Sequence, residues 1–332
     1  SYDQTVRVWD VEDGAASVAS DGVFTGRALS CAGDINADGF EDLAVSRARL
    51  NNEDGGSDSI LIRYGSADRL WSTASETIQP DQNNLFGSSL DAAGDVDGDG
   101  LPDLVVGAPS HTFGLVDPGK AYVFRGVRSH LRHRPHLGGT ISDQNNSYAA
   151  SVVARVGDHN GDGYNDVAVG GYGRSNSRGA VWLFLGGADG LAAAAHRRWD
   201  GADGGMRFGQ HVAGDVDLNG DGYHDIIVGA PHYANNTGRV FIFLGAEAAS
   251  IRPNGAGTQN TEVPSPSGSQ DYFGYTVTGL RDTNGDGFDD FAVSCWGEDD
   301  AGSSSGRAYF YYGNGGNNIN TTHDAVWSDR RS

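Results

Sequence analysis

The chain is poor in the residues that staple, anchor or stiffen a fold. Cys31 and Cys295 are its two cysteines in 332 residues, far apart in sequence, so neither a disulfide framework nor a cysteine metal site is available. Each is expected to act as a small buried hydrophobe. No run of eighteen apolar residues occurs, which excludes a membrane-spanning helix within the sequence. The first residues, Ser1-Tyr2-Asp3-Gln4, lack the charged and apolar regions of a signal peptide, so an export signal is expected to lie outside these residues or to have been removed. Lysine occurs once, as Lys120, and the formal net charge of −21 argues against nucleic acid and anionic membrane as partners. Proline is scarce (9 residues) beside abundant glycine (51), and glycine has no three-residue period, so collagen-like and low-complexity readings fail. A phosphate loop and a His-Glu-x-x-His helix are missing, so no enzyme chemistry is expected.

What is present is a repeat. The loop Asp95-Val96-Asp97-Gly98-Asp99-Gly100-Leu101-Pro102-Asp103 has near-copies beginning at Asp34, Asp158, Asp217 and Asp282, at intervals of about 60 residues. One supersecondary unit is therefore repeated five times. In its clearest copy, Phe86-Gly87 opens a strand that runs into the acidic loop, residues 104–109 leave it as an apolar strand, and residues 120–126 form a third, alternating strand. A more variable fourth strand ends near Ile141. The other copies place second strands at 42–46, 167–170, 225–230 and 291–294, and third strands at 59–64, 180–185, 239–244 and 307–312. Their fourth strands end near Ile78, Trp199, Val263 and Trp327.

Four short strands per repeat, no helical periodicity and frequent glycine turns predict an all-β fold. Such sheets bury both faces by packing radially, so the expected architecture is a β-propeller of four-stranded antiparallel blades. Residues 1–332 are read as one domain, with blades at about 22–80, 85–142, 147–200, 207–264 and 272–328. Residues 1–20 supply extra N-terminal strands, which either complete the last blade or form the tail of a further, partial one. The chain is expected to be a segment of a longer polypeptide, or a ring completed by a neighbour.

The loop pattern Asp-x-(Asp/Asn)-x-Asp-Gly-x-x-Asp is the chemistry of an oxygen-lined cation site. Side-chain oxygens at positions 1, 3, 5 and 9 and the carbonyl of position 7 give about five ligands, which bidentate binding or water raises to the 6–8 preferred by Ca²⁺. The candidate ligands are Asp34, Asn36, Asp38, Phe40 and Asp42; Asp95, Asp97, Asp99, Leu101 and Asp103; and Asp158, Asn160, Asp162, Tyr164 and Asp166. The fourth and fifth sets are Asp217, Asn219, Asp221, Tyr223 and Asp225, and Asp282, Asn284, Asp286, Phe288 and Asp290. About five Ca²⁺ ions are expected, with glycine at position 6 supplying the left-handed turn. The fourth loop departs, because Asp215 follows a glycine as the first ligand does elsewhere and two residues stand inserted before Asp217. Asp215 lies outside the ligand shell or substitutes within it.

Phe86-Gly87, the acidic loop and Gly107-Ala108-Pro109 together resemble the FG-GAP repeat of integrin α-subunit propellers and of many secreted bacterial proteins. Phe208-Gly209, Gly229-Ala230-Pro231 and Phe273-Gly274 extend the resemblance over about residues 22–312, while Tyr148-Ala149 and Val45-Ser46-Arg47 drift from it. The resemblance implies an extracellular or cell-surface propeller, stabilised by calcium, that acts as an adhesion or structural protein-interaction module. Its partner would be a protein or glycan ligand, or neighbouring subunits of a larger assembly, with no nucleic acid and no direct membrane insertion. The alternative is a glycan-binding or non-catalytic domain of a larger secreted hydrolase or lyase. The one basic cluster, residues 125–136, reads as a solvated rim loop or a contact for an acidic partner, and Trp71, Trp182, Trp199 and Trp327 are expected in core or inter-blade packing.

Overall fold

The computed structural model describes residues 24–48, 58–67, 75–79, 85–109, 119–128, 130–131, 149–247, 260–268, 270–297, 306–316 and 319–328. The first sheet runs β1 (Phe24–Gly33), β2 (Asp42–Ala48), β3 (Ser59–Arg63) and β4 (Ser75–Ile78), antiparallel throughout and paired in chain order. The second contains β5 (Ser89–Gly94), β6 (Asp103–Ala108) and β7 (Lys120–Phe124). The third is β10 (Val152–Gly157), β11 (Asp166–Gly171), β12 (Ala180–Phe184) and β13 (Arg197–Asp200). The fourth is β14 (His211–Val216), β15 (Asp225–Ala230), β16 (Arg239–Phe243) and β17 (Asn260–Pro264), and the fifth is β18 (Thr276–Leu280), β19 (Asp290–Cys295), β20 (Arg307–Tyr311) and β21 (Ala325–Trp327).

Between the second and third sheets the described residues form a short pair, β8 (Gly126–Val127) with β9 (His130–Leu131). The second sheet is thus three-stranded among the described residues, and the fourth strand expected to end near Ile141 lies outside them, as do residues 1–20 and Trp71. Two four-residue turns are assigned as helix, α1 (Arg174–Ser177) and α2 (Tyr233–Asn236), but Ala234 and Asn235 of α2 have φ of 48° and 58°, so it is a left-handed turn between strands.

The second strand of a repeat is apolar on both faces because it is covered on both sides. Every residue of β6, β11 and β15 is buried. Among the described residues the buried hydrophobic side chains divide into four clusters, and each is built from two consecutive sheets. Inter-blade packing is therefore the core of the molecule, as radial packing of small two-faced sheets requires. Phe86 meets Tyr122 and Phe124 edge-on at 5.5 and 6.0 Å, Phe208 meets Phe241 at 5.3 Å, and Phe273 meets Tyr309 at 5.9 Å. In the third repeat the same two positions hold Ala149 and Trp182, a small residue where repeats two, four and five have phenylalanine and a larger ring opposite.

The first strands pack in succession, β1 on β5, β5 on β10, β10 on β14 and β14 on β18. Residues of all five line one axial cavity of about 660 Å³, Leu29, Asp91, Arg155, Asp215 and Thr278 among them. The molecule is an all-β propeller with first strands innermost. No helix of the described residues is long and apolar enough to cross a membrane.

Candidate metal centres

Each acidic loop joins the innermost strand to the second strand, so all five lie at the same end of their sheets. Their internal bonding is nearly identical. The position-1 aspartate accepts backbone N–H groups from positions 5 and 6, as in Asp38 to Asp34 at 2.9 Å and Gly100 to Asp95 at 2.8 Å. Position 3 accepts the N–H of position 5, and position 5 accepts that of position 7, as in Asp99 to Asp97 at 3.2 Å and Leu101 to Asp99 at 2.9 Å. Convergent N–H donors hold these carboxylates on one side of the loop. In loop two an oxygen from each of Asp95, Asp97 and Asp99 lies within 4.8 Å of the others. That spread, about twice a Ca²⁺–oxygen bond of 2.3–2.6 Å, and the all-oxygen donor set fit one hard divalent cation.

Position 9 has a different setting from positions 1, 3 and 5. Asp42, Asp103, Asp166, Asp225 and Asp290 are buried. One oxygen of each accepts the position-2 N–H, from Ile35, Val96, His159, Leu218 and Thr283, at 2.8–3.0 Å. The other oxygen accepts the N–H of a glycine just beyond the third strand, namely Gly65, Gly126, Gly186, Gly245 and Gly313, at 2.8–3.0 Å. Position 9 thereby ties together the loop, the second strand and the exit of the third. Burial drives four of these carboxyls up, Asp42 to about 6, Asp103 to about 7, and Asp166 and Asp225 to about 8, against the opposing pull of the two N–H bonds.

The position-7 side chains reach into the preceding repeat. A Cβ on Gly98 would lie 2.7 Å from the Tyr164 ring, one on Gly161 2.4 Å from Tyr223, and one on Gly220 2.5 Å from Phe288. Glycine at position 4 thus serves both a left-handed turn (φ of 73–76°) and a seat for the next blade's aromatic ring. Phe40, in the first repeat, is 39% exposed. Backbone bonds reinforce the link: Asn165 donates to the carbonyl of Asp95, His224 to Asp158 and Asp289 to Asp217, at 3.0–3.2 Å. His159 is fully buried and held near pKa 4 by desolvation; neutral, it donates Nδ1–H to the carbonyl of His224 at 2.7 Å.

The fourth loop is regular, which corrects the expected insertion. Phe208 precedes Asp217 by the same nine positions that separate Phe86 from Asp95. Asp217 accepts the N–H groups of Gly220, Asp221 and Gly222 as its counterparts do. Asp215 instead occupies a bulge in β14 at φ 60°, and pairs with Arg155 and Arg281 at 3.1 Å each. It lies on the axial cavity and bridges three blades. The cysteine expectation needs a similar correction: Cys295 is buried, but Cys31 is exposed beside Glu41, and the two are not joined in a disulfide. Trp182 and Trp199 are buried as expected, whereas Trp327 is 64% exposed.

At the other end of the sheets, Phe208 and Phe273 each bridge to the preceding blade at Gly179 and Gly238. There Tyr272 stacks on Trp296 at 4.7 Å, with Tyr275 edge-on at 6.2 Å, and Trp296 and Tyr275 are 49% and 44% exposed.

The family model described as FG-GAP repeat matches residues 86–124 and 208–243, two of the five units just described. The chain carries FG-GAP repeats. Integrin alpha-PS2 of Drosophila melanogaster is 30% identical over 252 residues, which is 70% of this chain and 17% of that protein. Integrin alpha-5 of Xenopus laevis is 33% identical over 185 residues, 52% of this chain and 17% of that protein. Integrin alpha-IIb of Homo sapiens is 39% identical over 155 residues, covering 44% of the chain and 15% of the relative. The FG-GAP chain thus spans about a sixth of the length of these relatives. Sequence reasoning had missed three features of these units: the position-4 glycine seat, the ion pairs of Asp215 with Arg155 and Arg281, and that of Arg125 with Asp97. Recurrence of glycine at position 4 in loops two to five was the available signal for the first; the other two depend on contacts between distant residues.

Proposed function

We propose that the chain is an extracellular or cell-surface β-propeller, stabilised by about five Ca²⁺ ions, that works as an adhesion or protein-interaction module and not as an enzyme. The observation that carries the reading is the recurrence of one hydrogen-bonded acidic loop at one end of every sheet, together with the converging oxygens of Asp95, Asp97 and Asp99. The ligands would be the side chains at positions 1, 3 and 5, the carbonyl of position 7, and position 9 as ligand or as the buried brace behind it. The ions would lock the hairpins and leave the opposite end for recognition. Similarity to integrin alpha chains favours a protein ligand, and exposed aromatic residues such as Tyr275 and Trp296 are the kind that anchor protein interfaces.

Equilibrium dialysis against ⁴⁵Ca²⁺ tests the proposal. About five ions bound per chain at millimolar calcium is the expected result, given the roughly 10⁻⁴–10⁻³ M dissociation constants of extracellular modules. No retained calcium above a protein without such loops would refute it.

A further inference from the structure

Four of the five loops carry asparagine at position 3, and its side-chain amide donates to the position-5 carboxylate. Asn36 donates to Asp38, Asn160 to Asp162 and Asn219 to Asp221 at 2.9 Å, and Asn284 to Asp286 at 2.8 Å. Loop two lacks this donor. Asp97 takes the position, adds a carboxylate and has no hydrogen to give. A cation from elsewhere in the chain faces it: Nη1 of Arg125 lies 3.0 Å from Asp97 Oδ2, and the Asp97 side chain is only 5% exposed.

The guanidinium is held from both ends. Its other nitrogen, Nη2, donates to the backbone carbonyl of Asp189, in the connection between β12 and β13. A Cβ on Gly190 (φ +92°) would stand 2.4 Å from that nitrogen, so glycine there leaves the side chain its space. Arg125 immediately precedes Gly126, the glycine whose N–H meets Asp103. The residues at the same place in the other repeats are Tyr64, Leu185, Leu244 and Tyr312, none of them cationic. Within the five repeats, the aspartate at position 3 and the arginine before the glycine occur together and only in repeat two.

We propose that Arg125 is a resident counter-cation that holds the calcium affinity of loop two down to the range of the asparagine loops. This inference rests on the reading of the loops as calcium sites. Asp97 adds one negative charge, and cation affinity rises with the number of charged ligands. Arg125 cancels that charge and occupies an Asp97 oxygen that a cation would otherwise use. Its side chain is 28% exposed, so solvent screening weakens the effect without abolishing it.

The test is a calcium titration of the whole chain by calorimetry with a competing chelator. Arg125→Leu reproduces the residue found at this place in repeats three and four, and one site should become about tenfold tighter. Asp97→Asn alone, which leaves the arginine facing a neutral amide, should weaken one site about tenfold. The double variant has the pair already present in repeat three, Asn160 with Leu185, and should match the unaltered protein within about twofold. Arg125→Lys, which retains the charge, should do the same.

All sites remaining within twofold in Arg125→Leu, with normal calcium stoichiometry, would overturn the proposal. If that variant does not fold, Asp97→Asn and the double variant decide together: a site weakened by the first and restored by the second supports the proposal, and equal weakening in both overturns it. Absence of calcium binding in the unaltered chain would overturn the parent reading and this one together.

Discussion

The position-9 aspartates have the most at stake in the fold. Asp103 is fully buried and its two oxygens satisfy two backbone N–H groups, those of Val96 and Gly126. Asp103→Asn sets an amide donor against one of them and leaves a buried N–H unpaired, at a cost of about 1–3 kcal/mol. Chemical denaturation of that variant should show the loss both in calcium and in chelator, because the two bonds are structural. The same burial gives a pH signature. Asp42, Asp103, Asp166 and Asp225 have folded-state pKa values of about 6, 7, 8 and 8, above the ordinary 3.8, so the folded chain binds their protons more tightly than the unfolded chain does. Their contribution to stability is complete below about pH 4 and is lost as pH rises through 6 to 8. In chelator, their part of the melting temperature should fall across that window, and millimolar calcium should flatten the fall by neutralising the loops.

Among the elements, the strands and loops that the sequence made legible are those whose chemistry is local. The second strands read as apolar runs because they are buried on both faces. They start at the position-9 aspartate itself in all five repeats, as at Asp103 and Asp166, because its bonds to the loop begin the pairing. The acidic loops were legible from spacing alone, since their bonds join residues two to five apart. What escaped notice was contact between elements: Tyr164 seated on Gly98, Arg125 against Asp97, and Asp215 bridging Arg155 and Arg281. No local pattern marks these. Inter-blade aromatic packing makes its own prediction. Phe208→Ala should cost about 3–5 kcal/mol. Ala149→Phe, which writes the phenylalanine of repeats two, four and five into the third, should destabilise by about 1–3 kcal/mol because Trp182 belongs to the same packed core. Shortening Trp182 to Phe in the same chain should recover part of that loss in thermal unfolding.

At the scale of the molecule, stability is distributed over the inter-blade cores, four of them among the described residues, and the loops that brace one end of each sheet. The blade is the unit that closes its hydrogen bonds, and the blade pair is the unit that closes a core. With this organisation a small stabilisation at each loop acts on the entire propeller. At millimolar calcium and a dissociation constant of roughly 10⁻⁴–10⁻³ M, each site contributes about 0.4–1.4 kcal/mol, and five contribute about 2–7 kcal/mol. That sum is comparable with the net stability of a typical domain, about 5–15 kcal/mol. For a chain of this size it corresponds to about 3–10 °C in melting temperature. The most direct measurement is therefore calorimetric melting of the chain at pH 7.5 in millimolar Ca²⁺ and in excess chelator. A melting temperature higher by about 3–10 °C in calcium is the predicted result; superimposable melting curves would contradict a calcium-braced propeller.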